Sequence, residues 1–129
     1  MSTSVNRNDR GDLRIRTTQF ALNVIALYRR LPRTADAQVL GKQVLRSGTS
    51  VGAHYREASR ARSVAECVSK MAVGLQELDE TSYWLELLIS ARIVPADHVA
   101  ALATEADELT RMFVACLRTA QQGNGESGV

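Results

Sequence analysis

The stretch SKMAVGLQELDETSYWLELL, residues 69–88, carries the densest set of side chains that could do acid–base chemistry. Its carboxylates belong to Glu77, Asp79, Glu80 and Glu86. Carboxylates act as general acids or bases where a cleft and a positioned partner accompany them. The sequence supplies no matching Ser/His or Cys/His set, so an enzyme is not expected. The alternative is a structural ion pair, in which Arg46 of a neighbouring helix bridges Glu77 or Glu80.

Metal-binding patterns are missing from the sequence, and no cofactor is expected. The di-iron sites of helical bundles need Glu-x-x-His motifs, but Val51 and Pro95 stand three residues before His54 and His98. Two cysteines and two histidines without close spacing also argue against zinc. The two cysteines would lie at similar heights in a helical hairpin that turns near residue 93. They are either neighbours or two small core side chains.

The basic residues indicate a second chemistry, the binding of carboxylates or phosphates. Residues 1–62 hold 12 Lys/Arg against 4 Asp/Glu, a net charge of +8, and residues 63–129 hold 4 against 10, or −6. Fourteen of the 16 basic residues are arginines, whose forked donors fit both anions. This composition fits ion-paired interfaces and RNA contacts equally well.

Four helices must position these side chains, because only Pro32 and Pro95 interrupt a sequence rich in Ala, Leu, Arg and Glu. The predicted helices cover residues 12–31, 35–58, 63–91 and 96–121. Short connections between long helices predict an all-α fold, an antiparallel up-down-up-down four-helix bundle over residues 12–121. Polar tails at residues 1–11 and 122–129 are predicted to be disordered.

Each predicted helix carries an apolar stripe at helical spacing. The expected core residues are Leu13, Phe20, Val24, Leu27, Leu31, Ala37, Leu40, Val44, Val51, Tyr55, Val64, Val68, Met71, Leu75, Leu78, Leu85, Ile89, Val99, Leu102, Ala106, Leu109, Phe113, Cys116 and Ala120. Tyr83 and Trp84 are interpreted as core or interface residues rather than as a stacking platform. Ser63 with Glu66 predicts a capping box at the start of the third helix.

The segment SGTSVGA, residues 47–53, is a weak helix former and could be a loop. Gly41, Gly48 and Gly52 fall near one stripe of a helix, however, and small residues on a stripe let another backbone approach closely. We therefore predict that the second helix continues through this segment.

An antiparallel bundle gathers much of the basic charge at one end. The residues expected to contact phosphates there are Arg14, Arg16, Arg56, Arg60, Arg62 and Lys70, with Arg118 and His54 nearby. A clustered basic face is typical of nucleic-acid binding. The alternative is that cations favour helix C-termini, which accounts for Arg56, Arg60 and Arg118 but not for Arg14, Arg16 or Lys70.

The sequence carries few signals for the cellular location of the protein. No apolar run approaches the roughly 20 residues that a membrane span needs. The N-terminal residues lack the apolar segment of a secretory signal. A cytoplasmic protein with reduced cysteines is therefore expected.

Residues 43–88 resemble the four-helix bundle family named for the 23S ribosomal RNA intervening-sequence protein. Three pieces carry the resemblance: LRSGTSVGAHYREA, the link SRARS, and SKMAVGLQELDETSYWLELL. Over residues 13–120 the resemblance implies an antiparallel bundle that assembles into a ring, typically a homopentamer, without enzymatic activity. In such a ring, a basic face of one subunit can meet an acidic face of the next. A related branch, the accessory variability protein of diversity-generating retroelements, implies reverse transcriptase and nucleic acid as partners.

Three functions are considered. The first is a non-catalytic oligomeric bundle that binds RNA, DNA or a ribonucleoprotein partner through its basic face. The second is a scaffold oligomer with a protein partner and no nucleic acid, in which the arginines pair with Glu77, Glu80, Glu105 and Glu108. An enzyme or small-ligand binder that uses the acidic cluster is the third and weakest reading.

Overall fold

The computed structural model describes residues 7–127, and the side chains of residues 12–122, as a bundle of four α-helices. The helices are α1 (Arg7–Arg30), α2 (Ala35–Ser59), α3 (Val64–Ser90) and α4 (Ala100–Ser127), with a short 3₁₀-helix at Ala96–His98. α2 packs between α1 and α3, and α4 packs on α3 and α1. The predicted all-α four-helix bundle is confirmed, and no strand occurs within residues 7–127.

The helix ends differ from the predicted ends at both termini. α1 begins at Arg7 rather than at Asp12, which lies inside the helix with its carboxylate 3.6 Å from the Arg16 guanidinium. Pro95 is extended and precedes the 3₁₀-helix, so α4 starts at Ala100 and runs to Ser127 rather than to residue 121. Of the tails predicted to be disordered, residues 1–6 and 128–129 lie outside the described part of the chain.

The core contains most of the predicted residues. Phe20, Leu78, Leu109 and Phe113 are among its largest fully buried side chains. Several predicted members, among them Leu40, Leu75 and Ile89, are only partly buried. Val64 was assigned wrongly, because it begins α3 and is 40% exposed. The stripe of α3 also includes Gly74, Thr81 and Leu88, all buried.

The segment SGTSVGA is helical, as predicted, and its glycines let α2 approach α1. A Cβ atom on Gly48 would lie 2.7 Å from Val24 Cγ2, and one on Gly41 would lie 2.5 Å from Leu31 Cδ1. The hydroxyls of Ser47, Thr49 and Ser50 donate to carbonyl oxygens one turn earlier in α2. These bonds satisfy the polar side chains inside the helix.

A buried hydroxyl pair links α2 to α3 on the opposite side. The Ser47 and Thr81 oxygens lie 2.7 Å apart, and both residues are fully buried. Each hydroxyl also has a carbonyl acceptor one turn earlier in its own helix, Gln43 for Ser47 and Glu77 for Thr81. The bond between the two hydroxyls forms in only one register of the helices and therefore favours that register. The same register brings Arg46 beside the carboxylates of α3.

Candidate nucleic-acid interface

The six predicted phosphate contacts lie at the end of the bundle where α1 and α3 begin and α2 and α4 end, here called the terminal end. Arg14 and Arg16 lie early in α1, Arg56 and Arg60 end α2, Arg62 is in the following loop, and Lys70 is in the second turn of α3. The side chains differ sharply in what they contact.

Arg16 is committed to an ion pair between α1 and α4. Its Nε and Nη2 donate to the two carboxylate oxygens of Glu105 at 2.9 and 2.7 Å, and both side chains are less than one-third exposed. The hydrogen bond with Glu105 raises the pKa of Arg16 well above its ordinary value. A bidentate pair of this kind is strong and geometrically specific. Arg16 is therefore the predicted contact least suited to a phosphate.

Lys70 shares the carboxylate of Glu57 with His54. Lys70 Nζ lies 3.6 Å and His54 Nδ1 lies 3.0 Å from the same oxygen, Glu57 Oε1. The hydrogen bond from His54, with a smaller contribution from the Lys70 charge, holds the pKa of Glu57 below its ordinary value. The carboxylate of Glu57 is thus occupied by neighbours on α2 and α3.

Arg56 connects the end of α2 to α1. Its Nη2 donates to Thr18 Oγ1 at 3.2 Å, and that hydroxyl in turn donates to the Arg14 carbonyl oxygen at 2.9 Å. Arg56 of α2 therefore contacts α1 one turn after Arg14. Arg56, Arg60 and Lys70 also line one groove between α2 and α3, together with Glu57 and Glu66.

Four arginines of this end are exposed and make no side-chain hydrogen bond or ion pair with a described residue: Arg14, Arg60, Arg62 and Arg118. Glu66 is the nearest carboxylate along the chain to Arg62, but its Oε1 accepts the backbone N–H of Arg62 at 2.8 Å. Ser63 Oγ accepts the backbone N–H of Glu66 at 3.0 Å. The predicted cap is present, although Glu66 reaches the amide of Arg62 rather than that of Ser63. The guanidinium groups stay available to an external anion.

The acidic cluster of α3 holds an arginine of α2. Arg46 donates through Nη1 to Glu77 at 3.2 Å and through Nη2 to Glu80 at 2.5 Å. The hydrogen bond with Glu80 is the main cause of a raised pKa for Arg46. Of the remaining carboxylates, Asp79 and Glu86 are exposed. The bridge is the arrangement that the ion-pair interpretation expects, and it lies within one chain.

The two cysteines line one apolar cavity of about 290 Å³, together with Tyr55 and Met71. Both are thiols rather than a disulfide. Among the described side chains, no group of three or more His, Cys, Asp or Glu residues is placed to hold a metal ion. No described helix is both long and apolar enough to cross a membrane.

Trp84 packs against the core, and its ring lies 5.1 Å from that of Tyr83, which is half exposed. A second set of exposed arginines, not predicted from the sequence, lies at the opposite end of the bundle: Arg29, Arg30, Arg33 and Arg92. Their positions along the chain could have indicated this set, because Arg29 and Arg30 precede the first predicted loop at that end, and Arg33 and Arg92 lie within the two predicted loops.

Comparison with known proteins agrees with this architecture. The sequence model of the family described as 23S rRNA-intervening sequence protein matches residues 12–115. No protein of curated function matches the sequence. A crystal structure from Bacteroides thetaiotaomicron, described as a protein of unknown function from the S23 ribosomal protein family, is 32% identical with a TM-score of 0.80. The match covers 84% of this chain and 97% of that one. The chain therefore belongs to the 23S rRNA-intervening sequence protein family.

Proposed function

We propose that this protein is a non-catalytic, homo-oligomeric helical bundle that binds nucleic acid, or a ribonucleoprotein partner, through the terminal end. One observation carries the proposal. Arg14, Arg60 and Arg62 are exposed without a described partner, while the nearby carboxylates of Glu57 and Glu66 already accept hydrogen bonds from other groups. The three unpaired guanidinium groups outnumber these two carboxylates, which leaves a net positive surface for phosphates.

The predicted phosphate contacts differ in whether the side chain is already paired with a carboxylate. Arg14, Arg60 and Arg62 would bind phosphates directly, and Arg56 would join them at the α1–α2 edge. Lys70 would have to share its charge with Glu57, and Arg16 would have to leave Glu105. The contacts of Arg14, Arg60 and Arg62 alone predict that affinity falls about 20- to 40-fold between 50 and 200 mM salt, through counterion release.

The test compares two charge-matched double variants of the full chain. Arg60→Ala with Arg62→Ala removes two charges from the terminal end, and Lys42→Ala with Arg111→Ala removes two exposed charges from elsewhere. Binding of a labelled single-stranded RNA and of a labelled DNA duplex is followed by fluorescence anisotropy at 50 mM salt. We expect at least a tenfold loss of affinity for the first variant and less than a twofold loss for the second.

Two results would contradict the proposal. One is no binding of either nucleic acid by the wild-type protein. The other is an equal loss in both variants, which would mean that only the net charge of the chain matters. Circular dichroism shows whether the variants keep the helical fold.

A specific observation favours a second candidate, a scaffold oligomer with a protein partner. Ile15 and Leu22, seven residues apart on α1, are 70% and 53% exposed and lie on one face of the helix. Such a face suits packing against another copy of the chain, and the family resemblance implies a ring of five. Light scattering on nuclease-treated protein gives the mass. An oligomer that binds no nucleic acid would favour the scaffold, and a monomer would contradict both candidates.

A further inference from the structure

The second set of exposed arginines lies at the end of the bundle that holds the α1–α2 and α3–α4 connections, here called the loop end. Its members are Arg29, Arg30, Arg33 and Arg92, and none forms an ion pair or side-chain hydrogen bond with a described residue. In these connections and the first turn of α2, the carboxylates are Asp36 and Asp97. That of Asp36 accepts hydrogen bonds from Thr34 Oγ1 at 2.7 Å and from the Ala37 N–H at 2.8 Å.

Arg92 has a backbone conformation that favours glycine. Its φ of 60° is the one positive value among the described non-glycine residues, and it follows Ala91, the C-cap of α3. The backbone N–H groups of Arg92 and Ile93 close the helix on the carbonyl oxygens of Ile89 and Leu88. Glycine is the usual residue at this position because any Cβ strains it.

The Arg92 side chain is exposed and forms no described hydrogen bond or ion pair that would offset the backbone strain. Residues with a strained backbone cluster at active sites, ligand clamps and switch regions. The helix dipole accounts for Arg29 and Arg30, which lie in the last turn of α1. It also favours a cation at Arg92, directly after the C-cap of α3, but it does not require the left-handed residue itself to carry that charge, and it does not account for Arg33.

The grooves of the loop end extend this positive surface over several helices. Arg29 and Arg33 line one groove with Tyr28, and Arg30 lines another with His98 between α1 and α4. Cations spread over two connections match the repeating charges of a phosphate backbone better than a single carboxylate.

We propose that the loop end is a second nucleic-acid-binding surface, on which Arg29, Arg30, Arg33 and Arg92 contact phosphates. This inference rests on the proposed function, since it adds a surface for the same class of ligand. The 25 residues of α2 separate the two surfaces by about 37 Å. One bundle would therefore hold two segments of nucleic acid at its opposite ends.

The decisive variant is Arg92→Gly, because it should make the fold more stable and at the same time weaken the binding of RNA. Relief of the left-handed conformation should raise Tm by about 2–5 °C. Loss of the guanidinium should weaken the binding of a labelled 30-nucleotide single-stranded RNA about three- to tenfold at 50 mM salt. Arg33→Ala with Arg92→Ala, charge-matched to the Lys42 and Arg111 control, should weaken it at least tenfold.

The outcomes separate this proposal from the proposed function. If Arg92→Gly raises Tm and leaves RNA affinity unchanged, the loop end is not a binding surface, whatever Arg60→Ala with Arg62→Ala does. If the loop-end variants weaken binding and the terminal-end variant does not, the loop end stands and the proposed terminal surface fails. Wild-type protein that binds no RNA would overturn both. A lower oligomer mass of the loop-end variants after nuclease treatment would instead identify a second copy of the chain as the ligand, and would overturn this proposal.

Discussion

The middle and the end of α2 show arginine in two different surroundings. Arg46 lies against α3 and donates to two carboxylates, whereas Arg60, at the C-cap, is exposed without a described partner for its side chain. The middle of the helix is also packed on both sides, by Val24 against Gly48 and by Thr81 against Ser47. The same residue type therefore stabilises the bundle in one region and stays available for a ligand in the other.

The largest expected effect tests the packing of the middle. Gly48→Ala adds a methyl group 2.7 Å from Val24 Cγ2, and Val24 is fully buried and stiff at χ1. Overpacking costs about 1–3 kcal/mol, and the better helix propensity of alanine offsets about 1 kcal/mol. We therefore expect a net loss of up to about 2 kcal/mol in the free energy of unfolding, measured by urea denaturation.

Gly52→Ala is the matched control, because its new methyl group would meet Thr17 Oγ1 at 3.2 Å. We expect a smaller loss there. If Gly48→Ala stabilised the protein, the α1–α2 approach would be looser than described, and the contrast between the two regions of α2 would weaken.

Next in size is the buried hydroxyl pair. Thr81→Val keeps the shape of the side chain but removes both the bond to Ser47 and the bond to the Glu77 carbonyl oxygen of α3, for an expected loss of about 1 kcal/mol in unfolding free energy. Thr110→Val is the control, since Thr110 donates to the Ala106 carbonyl within its own helix. Both variants are measured by chemical denaturation. Equal losses of unfolding free energy would show that the bond between α2 and α3 does not stabilise the fold.

A smaller effect is expected from the ion pair itself. Arg46 is half exposed, so solvent screens its attraction for Glu77 and Glu80. Arg46→Ala should lower the unfolding free energy by about 0.5–1 kcal/mol at low salt and by less at 1 M salt. Arg60→Ala should leave it within about 0.5 kcal/mol of the wild-type value. A loss for Arg60→Ala as large as that for Arg46→Ala would remove the distinction between them.

The smallest effect is a dependence of stability on pH at the terminal end. The pKa of Glu57 is lowered in the folded protein, chiefly by the hydrogen bond from His54. Glu57 therefore adds stability above its ordinary pKa of 4.5, and this contribution is lost as the pH falls through the lower, folded value. Thermal melts between pH 6 and 3 should show a shallower decline for Glu57→Gln than for the wild-type protein. If Tm fell equally with pH in both proteins, Glu57 would not contribute to the pH dependence of stability, and this prediction would be wrong.

The sequence predicted the bundle because hydrophobic periodicity and capping are local signals. The apolar stripe of α4 was predicted correctly from Val99 to Cys116. The N-cap at Ser63 was also predicted correctly, from its spacing to Glu66. The stripe of α3 was harder, because Leu85, Leu87, Leu88 and Ile89 offer several apolar faces. Only packing against α2 and α4 selects Leu85 and Leu88 as fully buried.

The candidate interface could be predicted only in part. Antiparallel topology places the basic residues at one end, but it does not reveal that Glu105 engages Arg16 from 89 residues away. Nor does any propensity place Arg92, rather than a glycine, in a left-handed conformation after α3. Such features depend on tertiary contacts and backbone geometry, which residue types alone do not encode.

The most direct test of the central claim is the salt dependence of RNA affinity in the wild-type protein and in Arg60→Ala with Arg62→Ala. A plot of the logarithm of the binding constant against that of salt concentration has a slope proportional to the number of phosphates contacted. If both arginines bind phosphates, the slope of the double variant should be less steep by about 1.4–1.8 per bundle. Identical slopes would show that neither guanidinium contacts the nucleic acid, and would contradict the account.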